Sequence, residues 1–421
     1  MTETNPTEIN APAVVFTEMR ALYNKGLYRQ ALTLGESHWG PWQTWPECEH
    51  SIYAGRMLSN LGLSRKGLAQ MYRTWRRHRA HPMAQYYYLR SLSATRGPLR
   101  TLKAFSEFEA PSVDDNANLA ADWLALKSSV YAQYRDWETA ENLMAQANEA
   151  SPGRNWIKME SAYLSEAQDQ YQLALNTVEP LALEQAYRPA IQFAAHLYVL
   201  LDRREEAIEL LTPHSQTMEC LSLSLQLFRM FKETNQVDKA AQVIDRVHTF
   251  ISLEEQGLSE DLSIANFNLN YLNGQYDAAA SSLADVRSGY FKSIRDNLEK
   301  SDPNSHSVLL DVPFVRQHHM TCAPATLTAI SKFWDQSNDH LNIVEEICYD
   351  GTSNHAERQW ANQEGWATKE FKLTAEATYA LIDKKIPFTL STVEPGSAAN
   401  PPGAVARIAA LTRAASSADS G

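Results

Sequence analysis

Residues 15–300 carry a pattern of polar and apolar positions typical of helices, and few of their runs alternate as strands do. Within them a short arrangement recurs: a turn residue, any residue, an aromatic or apolar residue, two further residues and then a small residue. Its eight copies start at Gly26, Gly62, Gly97, Arg135, Asp169, Asp202, Asn235 and Gly274. Their final positions lie 36, 35, 38, 34, 33, 33 and 39 residues apart, which predicts one structural unit repeated about eight times.

Each marked position of this arrangement has a physical role. We expect the turn residue between two helices, the apolar residue packed into the turn, and the small residue where the helices approach closely. A period near 34 residues resembles that of the tetratricopeptide repeat, a helix–turn–helix unit. The resemblance implies an α-solenoid over residues 15–300, whose stacked units form a concave groove for a peptide or protein partner.

The repeat pattern fades after Arg287, and a closing helix and a polar, proline-containing linker are expected before a second domain. In that domain helical spacing recurs at Ala323, Leu327, Ile330 and Trp334, which predicts a helix with one buried face. Further helices are expected at 343–349, 356–364 and 375–383, and strands at 368–373 and 387–393. Residues 308–397 therefore predict an α+β domain.

Cys322 stands where the first helix of this domain is expected to begin. A thiol at a helix N-terminus faces the positive end of the macrodipole, which favours the thiolate. Gln317, five residues earlier, would place an amide donor beside the sulfur, as a cysteine nucleophile requires for its oxyanion. An alternative stays open, because a cysteine that opens a buried helix is most often simply a small apolar residue.

One segment resembles the start of papain-fold cysteine peptidase domains. It follows the expected Val-Pro-Phe strand and contains Gln317, Cys322, Pro324 and Leu327. The similar proteins are bacteriocin-processing peptidases that cleave after double-glycine leaders, and their bacterial look-alikes. The resemblance covers residues 308–397 and implies a thiol-dependent peptidase with Cys322 as nucleophile and Gln317 as oxyanion donor. Ala323 departs from the pattern, because many relatives have glycine there.

A cysteine peptidase also needs a general base, and the resembled family has a histidine in the second half of the domain. No histidine follows Val393, and nine of the 24 residues from Ala398 to Gly421 are alanine. We expect residues 398–421 to be a disordered, low-complexity tail without a strand, and the domain to be truncated and inactive. The abrupt change in composition after Ser397 suggests a frameshifted copy or a natural pseudo-peptidase. The remaining candidate bases are His318, His319, His340 and His355, each expected in a loop, on the surface or at a helix cap.

The net charge of −12 argues against a general nucleic-acid or anionic-membrane surface. The basic run from Arg73 to Arg79 is a possible nucleic-acid patch, but a solvated helix end is the favoured interpretation. No run approaches the ~20 apolar residues of a membrane span.

Four cysteines without a CxxC pair indicate reduced thiols in a cytoplasm, with Cys348 expected in the core. No motif indicates a metal or another cofactor.

The sequence thus predicts a mainly α protein, with an α-solenoid followed by a partial papain-like α+β domain. The first functional interpretation is a cysteine peptidase-like protein whose repeats recruit the substrate, inactive as it stands. The alternative is a non-catalytic scaffold for protein–protein interaction. In both cases the partner is a peptide or protein in the groove, with no nucleic acid and no membrane span.

Overall fold

The structure is a computed structural model that describes residues 11–234, 236–251, 256–300, 308–315, 317, 320–349, 351–391 and 407–413. The chain divides into two compact units, Met1–Lys300 and Ser301–Gly421. Within the described residues, no helix combines the length and the apolar character that crossing a membrane requires.

Among the described residues, the first unit consists of eight helix pairs followed by one further helix. Its helices are α1 (Ala11–Asn24), α2 (Tyr28–Trp39), α3 (Cys48–Asn60), α4 (Ser64–Arg77), α5 (Pro82–Arg96), α6 (Pro98–Phe105), α7 (Val113–Ala132), α8 (Trp137–Ala150), α9 (Asn155–Ala167), α10 (Tyr171–Leu183), α11 (Arg188–Leu200), α12 (Arg204–Thr217), α13 (Leu221–Glu233), α14 (Val237–His248), α15 (Gln256–Leu272), α16 (Tyr276–Ser282) and α17 (Gly289–Glu299), with a 3₁₀ turn at Trp42–Thr44. Each of the eight predicted turns lies between the two helices of a pair, so the predicted helical solenoid is confirmed.

The turns share one backbone geometry. The predicted turn residues of seven pairs have positive φ, from 57° at Asp202 to 88° at Gly62, while Asn235 lies outside the described residues. The residue after the turn residue donates its N–H to a carbonyl five positions earlier in seven pairs, at 2.7–3.2 Å, as Leu27 does to Leu22. This is the Schellman arrangement, which satisfies the free carbonyls at a helix end. Pro98 follows Gly97 and has no N–H, so the third pair lacks this bond.

The small residue of the arrangement lies where the two helices of a pair touch. Six of the eight copies place a fully buried alanine there: Ala31, Ala140, Ala174, Ala207, Ala240 and Ala279. A methyl side chain allows the backbones to approach closely, so burial of these alanines agrees with the role expected of the small residue.

The first helix pair also packs against the sixth and seventh, a contact within the first unit that the repeat pattern does not predict. Gly26 O accepts a hydrogen bond from Glu219 N at 2.8 Å, in the connection between α12 and α13. The Glu219 carboxylate in turn accepts from the backbone N–H groups of Arg29 (2.7 Å) and Gln30 (3.2 Å) at the start of α2. Arg29 Nε donates to Phe250 O at 3.0 Å. We call this set of bonds the closure contact.

The second unit combines helices with a small sheet. It contains α18 (Cys322–Phe333), α19 (His340–Ile347), α20 (Asn354–Gln363), β1 (Trp366–Lys372), α21 (Ala375–Asp383), β2 (Phe388–Ser391) and β3 (Arg407–Arg413). Leu327, Ile330, Ile343, Trp360 and Trp366 form its buried cluster, so the predicted inward faces of α18 and α20 meet.

The sheet differs from the expectation. Its strand order is β1-β3-β2, with both pairs antiparallel and with Trp366 opposite Arg413 and Phe388 opposite Ala410. We expected no strand after Val393, yet β3 lies at the centre. Alanine-rich segments have low strand propensity, but a central strand is hydrogen-bonded along both edges, and this pairing outweighs the propensity. The other residues of 398–421 lie outside the described part.

The expected Val-Pro-Phe strand is not formed. The described residues from 308 to 315 contain no strand, and Phe314 is 54% exposed. Pro313 lacks an N–H to donate to a neighbouring strand, which removes one bond from any ladder. The described part of the second unit therefore has the predicted helices but not the predicted strand before Cys322, and a papain-like fold is not confirmed.

Candidate functional site

Cys322 is the first residue of α18, as the sequence predicted, and its side chain is exposed. The other cysteines differ: Cys48 and Cys220 are buried, and Cys348 is half-buried rather than in the core as expected. Cys322 is therefore the most accessible thiol of the chain.

Two side chains hold the segment that precedes Cys322. His340 Nε2 lies 3.1 Å from Thr321 Oγ1, and Cys348 Sγ donates to Met320 O at 3.3 Å. His340 is the first residue of α19 as expected, but it is only 8% exposed and not a surface residue. Its hydrogen bond to the N-cap residue of α18 explains this burial, because the bond joins the starts of α18 and α19. Both side chains thus position the start of α18.

Gln317 and Cys322, the two predicted catalytic residues, both lie within the described residues. Gln317 is exposed, and within the described part of the chain no histidine is hydrogen-bonded to Cys322 Sγ. His318 and His319 lie outside the described residues. His355 borders a shallow surface depression with Arg358, on α20. The roles of Cys322 and Gln317 therefore stay predictions.

A larger site lies in the first unit, where a cavity of about 650 Å³ is bordered by side chains from seven helices. We call it the central cavity. Tyr23 of α1, Arg56 of α3, Leu68 of α4, Arg90 of α5 and Asp122 of α7 contribute to its wall, together with residues at the starts of α9 and α11. Successive helix pairs thus each contribute side chains to the wall of the central cavity.

Four arginines border the central cavity: Arg56, Arg90, Arg154 and Arg188. Arg56 and Arg90 are both the ninth residue of their helices, 34 positions apart, and Arg154 and Arg188 are also 34 positions apart. The predicted site residues did not include these arginines, although their spacing equals the repeat period and could have indicated them. Aligned repeats put equivalent positions on the same inner face.

One of these arginines is neutralised inside the cavity. Arg154 donates from Nε and Nη2 to the two carboxylate oxygens of Asp122, at 2.9 and 2.8 Å. Burial raises the pKa of Asp122, while the hydrogen bonds from Arg154 lower it. The bidentate geometry pairs both oxygens of this carboxylate with Arg154, and among the described residues no other arginine of the cavity forms an ion pair with Asp122.

The other three arginines have no ion-pair partner among the described residues. Arg56 lies over the rings of Tyr23, Tyr53 and Tyr87, with its Cζ 4.8, 5.2 and 5.8 Å from the ring centroids. Guanidinium groups bind aromatic faces through cation–π attraction, which holds Arg56 in place without neutralising its charge.

Arg90 and Arg188 are held in a similar way by neutral groups. Arg90 stacks over Trp156, with 4.3 Å between Cζ and the ring centroid, and donates to Tyr86 Oη at 3.4 Å. Arg188 donates to Tyr28 Oη at 3.3 Å and to Gln192 Oε1 at 2.8 Å.

Glu160 is the next acidic group near these cations. Burial raises its pKa to about 7, although the charge of Arg90 opposes this shift. A large part of Glu160 is therefore uncharged at neutral pH, so it neutralises Arg90 only in part. Tyr86 borders the same region, and burial raises its pKa, so its phenol stays protonated and can donate.

The basic run from Arg73 to Arg79 lies elsewhere, at the end of α4 and just beyond it. Arg76 and Arg79 are exposed, and Arg79 stacks over Trp75 at 5.3 Å. This placement agrees with the expected solvated helix end. The exclusion of nucleic acid stays a prediction.

Comparison with known proteins gives a likeness of fold at low similarity. No protein-family model and no curated protein matches the chain. A structure of Pseudomonas aeruginosa PilF is 10% identical with a TM-score of 0.33, and the match covers 59% of this chain and 97% of that chain. A tetratricopeptide repeat protein from Parabacteroides merdae is 12% identical with a TM-score of 0.27, covering 68% and 96%. The human IFIT1 dimer with m7Gppp-AAAA is 12% identical with a TM-score of 0.42, covering 70% and 74%.

Proposed function

We propose that the protein is a non-catalytic scaffold that binds a segment of a partner protein in the central cavity. The observation that carries this proposal is the composition of the cavity wall, which presents arginine, tyrosine and tryptophan side chains from successive helix pairs. These three residue types contribute the largest share of binding energy at protein–protein interfaces. Solenoids of helix pairs characteristically bind along their inner face.

The wall is also pre-organised for binding. Arg56 and Arg90 are fixed by aromatic rings, so their side chains lose little rotamer freedom when a ligand arrives. Immobilising a long side chain at an interface costs about 0.5–1.5 kcal/mol, and this cost is largely removed here. A partner segment would therefore meet a surface already in its binding conformation.

Photo-cross-linking tests this function. We expect a benzoylphenylalanine at Ala94, which is exposed and borders the central cavity, to form an adduct with a second polypeptide in cells. The matched control carries the same group at Leu99, which is 75% exposed on α6 and does not border the cavity. Adducts that form equally at both positions, or at neither, would contradict the proposal.

A second proposal concerns the second unit, and the exposure of Cys322 at the start of α18 favours it. In this proposal the unit derives from a cysteine peptidase, with Cys322 in the position of the nucleophile and Gln317 in that of the oxyanion donor. Such an enzyme needs a base that takes the thiol proton. The last histidine of the sequence is His355, so the histidine that the resembled family has in the second half of the domain has no counterpart here.

We therefore expect no peptide hydrolysis above background from this chain. The measurement compares the wild type with Cys322→Ala on a library of quenched fluorescent peptides, and all rates should equal the buffer rate. Cys348→Ala, which removes the neighbouring half-buried thiol, serves as the control. Turnover that Cys322→Ala abolishes and Cys348→Ala preserves would establish an active enzyme instead.

A further inference from the structure

We propose that the central cavity recognises a phosphate group on its ligand. This inference rests on the proposed function only in placing the ligand in that cavity. The four arginines and one carboxylate that border the cavity leave a formal surplus of three positive charges (4 − 1 = 3). This surplus is notable in a chain whose net charge is −12, because charged residues elsewhere are predominantly acidic.

The hydrogen-bonding capacity of the arginines points to the same chemistry. A guanidinium carries five N–H donors. The Arg56 group makes no hydrogen bond among the described residues, and Arg90 makes one, to Tyr86 Oη. An anion with several oxygens would therefore find free donors on at least two helices, α3 and α5.

Charge and the number of oxygens favour phosphate over a single carboxylate. Asp122 carries one negative charge at most and binds Arg154 through both of its oxygens. A phosphate monoester carries about two negative charges at neutral pH and three terminal oxygens, so it can bridge guanidinium groups from different helices.

The aromatic contacts use no N–H donor of a guanidinium group. Arg56 lies over the ring of Tyr23 and Arg90 over that of Trp156, and the N–H donors lie in the guanidinium plane. Arginine is preferred over lysine at such sites because its planar fork matches two phosphate oxygens at once. The aromatic contacts therefore orient the donors.

The size of the cavity favours a compact ligand over a nucleic-acid strand. A volume of about 650 Å³ lies within the range of small-molecule sites, about 300–1,000 Å³. The net charge of −12 also disfavours binding of a long nucleic-acid strand. The phosphate belongs either to a phosphorylated side chain of the partner or to a free small molecule, and the experiment separates these sources.

Isothermal titration calorimetry on the full chain tests the inference, with pyrophosphate, inorganic phosphate and citrate as probes. We expect pyrophosphate to bind the wild type, and the double variant Arg56→Gln/Arg90→Gln to bind it at least tenfold more weakly. The control Arg76→Gln removes an exposed arginine of α4 and should bind as the wild type does. Equal affinity of the double variant, or citrate that binds as tightly as pyrophosphate, would overturn the assignment.

A second variant covers the possibility that the double variant does not fold. Arg56→Lys/Arg90→Lys keeps both charges but loses the planar fork, so pyrophosphate affinity should fall severalfold while the circular dichroism spectrum is unchanged.

A phosphoserine peptide that binds more tightly than inorganic phosphate assigns the phosphate group to a partner protein. The reverse order of affinities assigns it to a free molecule. Preferential binding of single-stranded DNA would refute a compact ligand. The titration needs no partner protein and the cross-linking needs no phosphate, so the two proposals fail independently.

Discussion

Replacing Glu219 by alanine is expected to open the closure contact and expose Cys220 to labelling. The Glu219 carboxylate is 6% exposed and accepts hydrogen bonds from Arg29 N, Gln30 N and Gln30 Nε2, at 2.7, 3.2 and 3.1 Å. It therefore caps α2 from a position 190 residues away in the sequence. Its negative charge also faces the positive end of the α2 dipole.

The size of the effect follows from the number of bonds lost. Hydrogen bonds to a charged group contribute about 1.5–3 kcal/mol each, and three partly buried ones are lost here, so we expect a loss of about 3 kcal/mol for the contact. A change of this size increases the population of the open state about 100-fold. Cys220 is fully buried beside Glu219, so its rate of reaction with an aromatic disulfide reports this opening.

Two controls accompany the measurement. Glu219→Gln keeps an oxygen acceptor of the same shape and should increase the Cys220 rate far less. Cys48, which is 5% exposed in α3, is an internal reference whose rate should stay constant in both variants. If Cys220 in Glu219→Ala reacts at the wild-type rate, the closure contact does not hold the first helix pair in place.

Replacing Gly67 by alanine is expected to destabilise the second helix pair. A Cβ at position 67 would lie 2.7 Å from Gly55 O, and it would also clash with Ser59 Oγ. Gly55 O is a backbone atom of α3, so α3 and α4 must separate to admit the methyl group. Overpacking of this kind typically costs 1–3 kcal/mol, and a loss of about 2 kcal/mol lowers the melting temperature by roughly 4–8 °C.

The matched control is Gly289→Ala in the first turn of α17. A Cβ there meets nothing within 4 Å, and the position needs no positive φ. Alanine is a better helix former than glycine by up to about 1 kcal/mol, so this variant should be as stable as the wild type or slightly more stable. Thermal and urea unfolding, followed by circular dichroism, measures the stability of both variants relative to the wild type. Equal melting temperatures would show that α3 and α4 tolerate a wider separation.

The candidate sites followed from the sequence only in part. The start of α18 at Cys322 was predictable, because helix spacing and the N-terminal proline are local signals. Burial of His340 against Thr321 was not, because that contact joins residues 19 positions apart through a loop. The arginines of the central cavity lay at the repeat period, yet nothing in the pattern showed that Arg56 and Arg90 form no ion pair with the described residues.

By itself the sequence determined the helix pairs of the first unit and where the chain turns within each pair. The reason is that these features depend on residues close together in the sequence. The turn residue, such as Gly26, adopts positive φ, and the next N–H donates to a carbonyl five positions earlier. A small residue such as Ala31 then lies between the two helices. The tertiary structure alone decided the closure contact, the central strand β3 and the charge balance of the central cavity. Each of these depends on partners brought together from distant parts of the chain, and a periodic pattern contains no information about which distant groups meet.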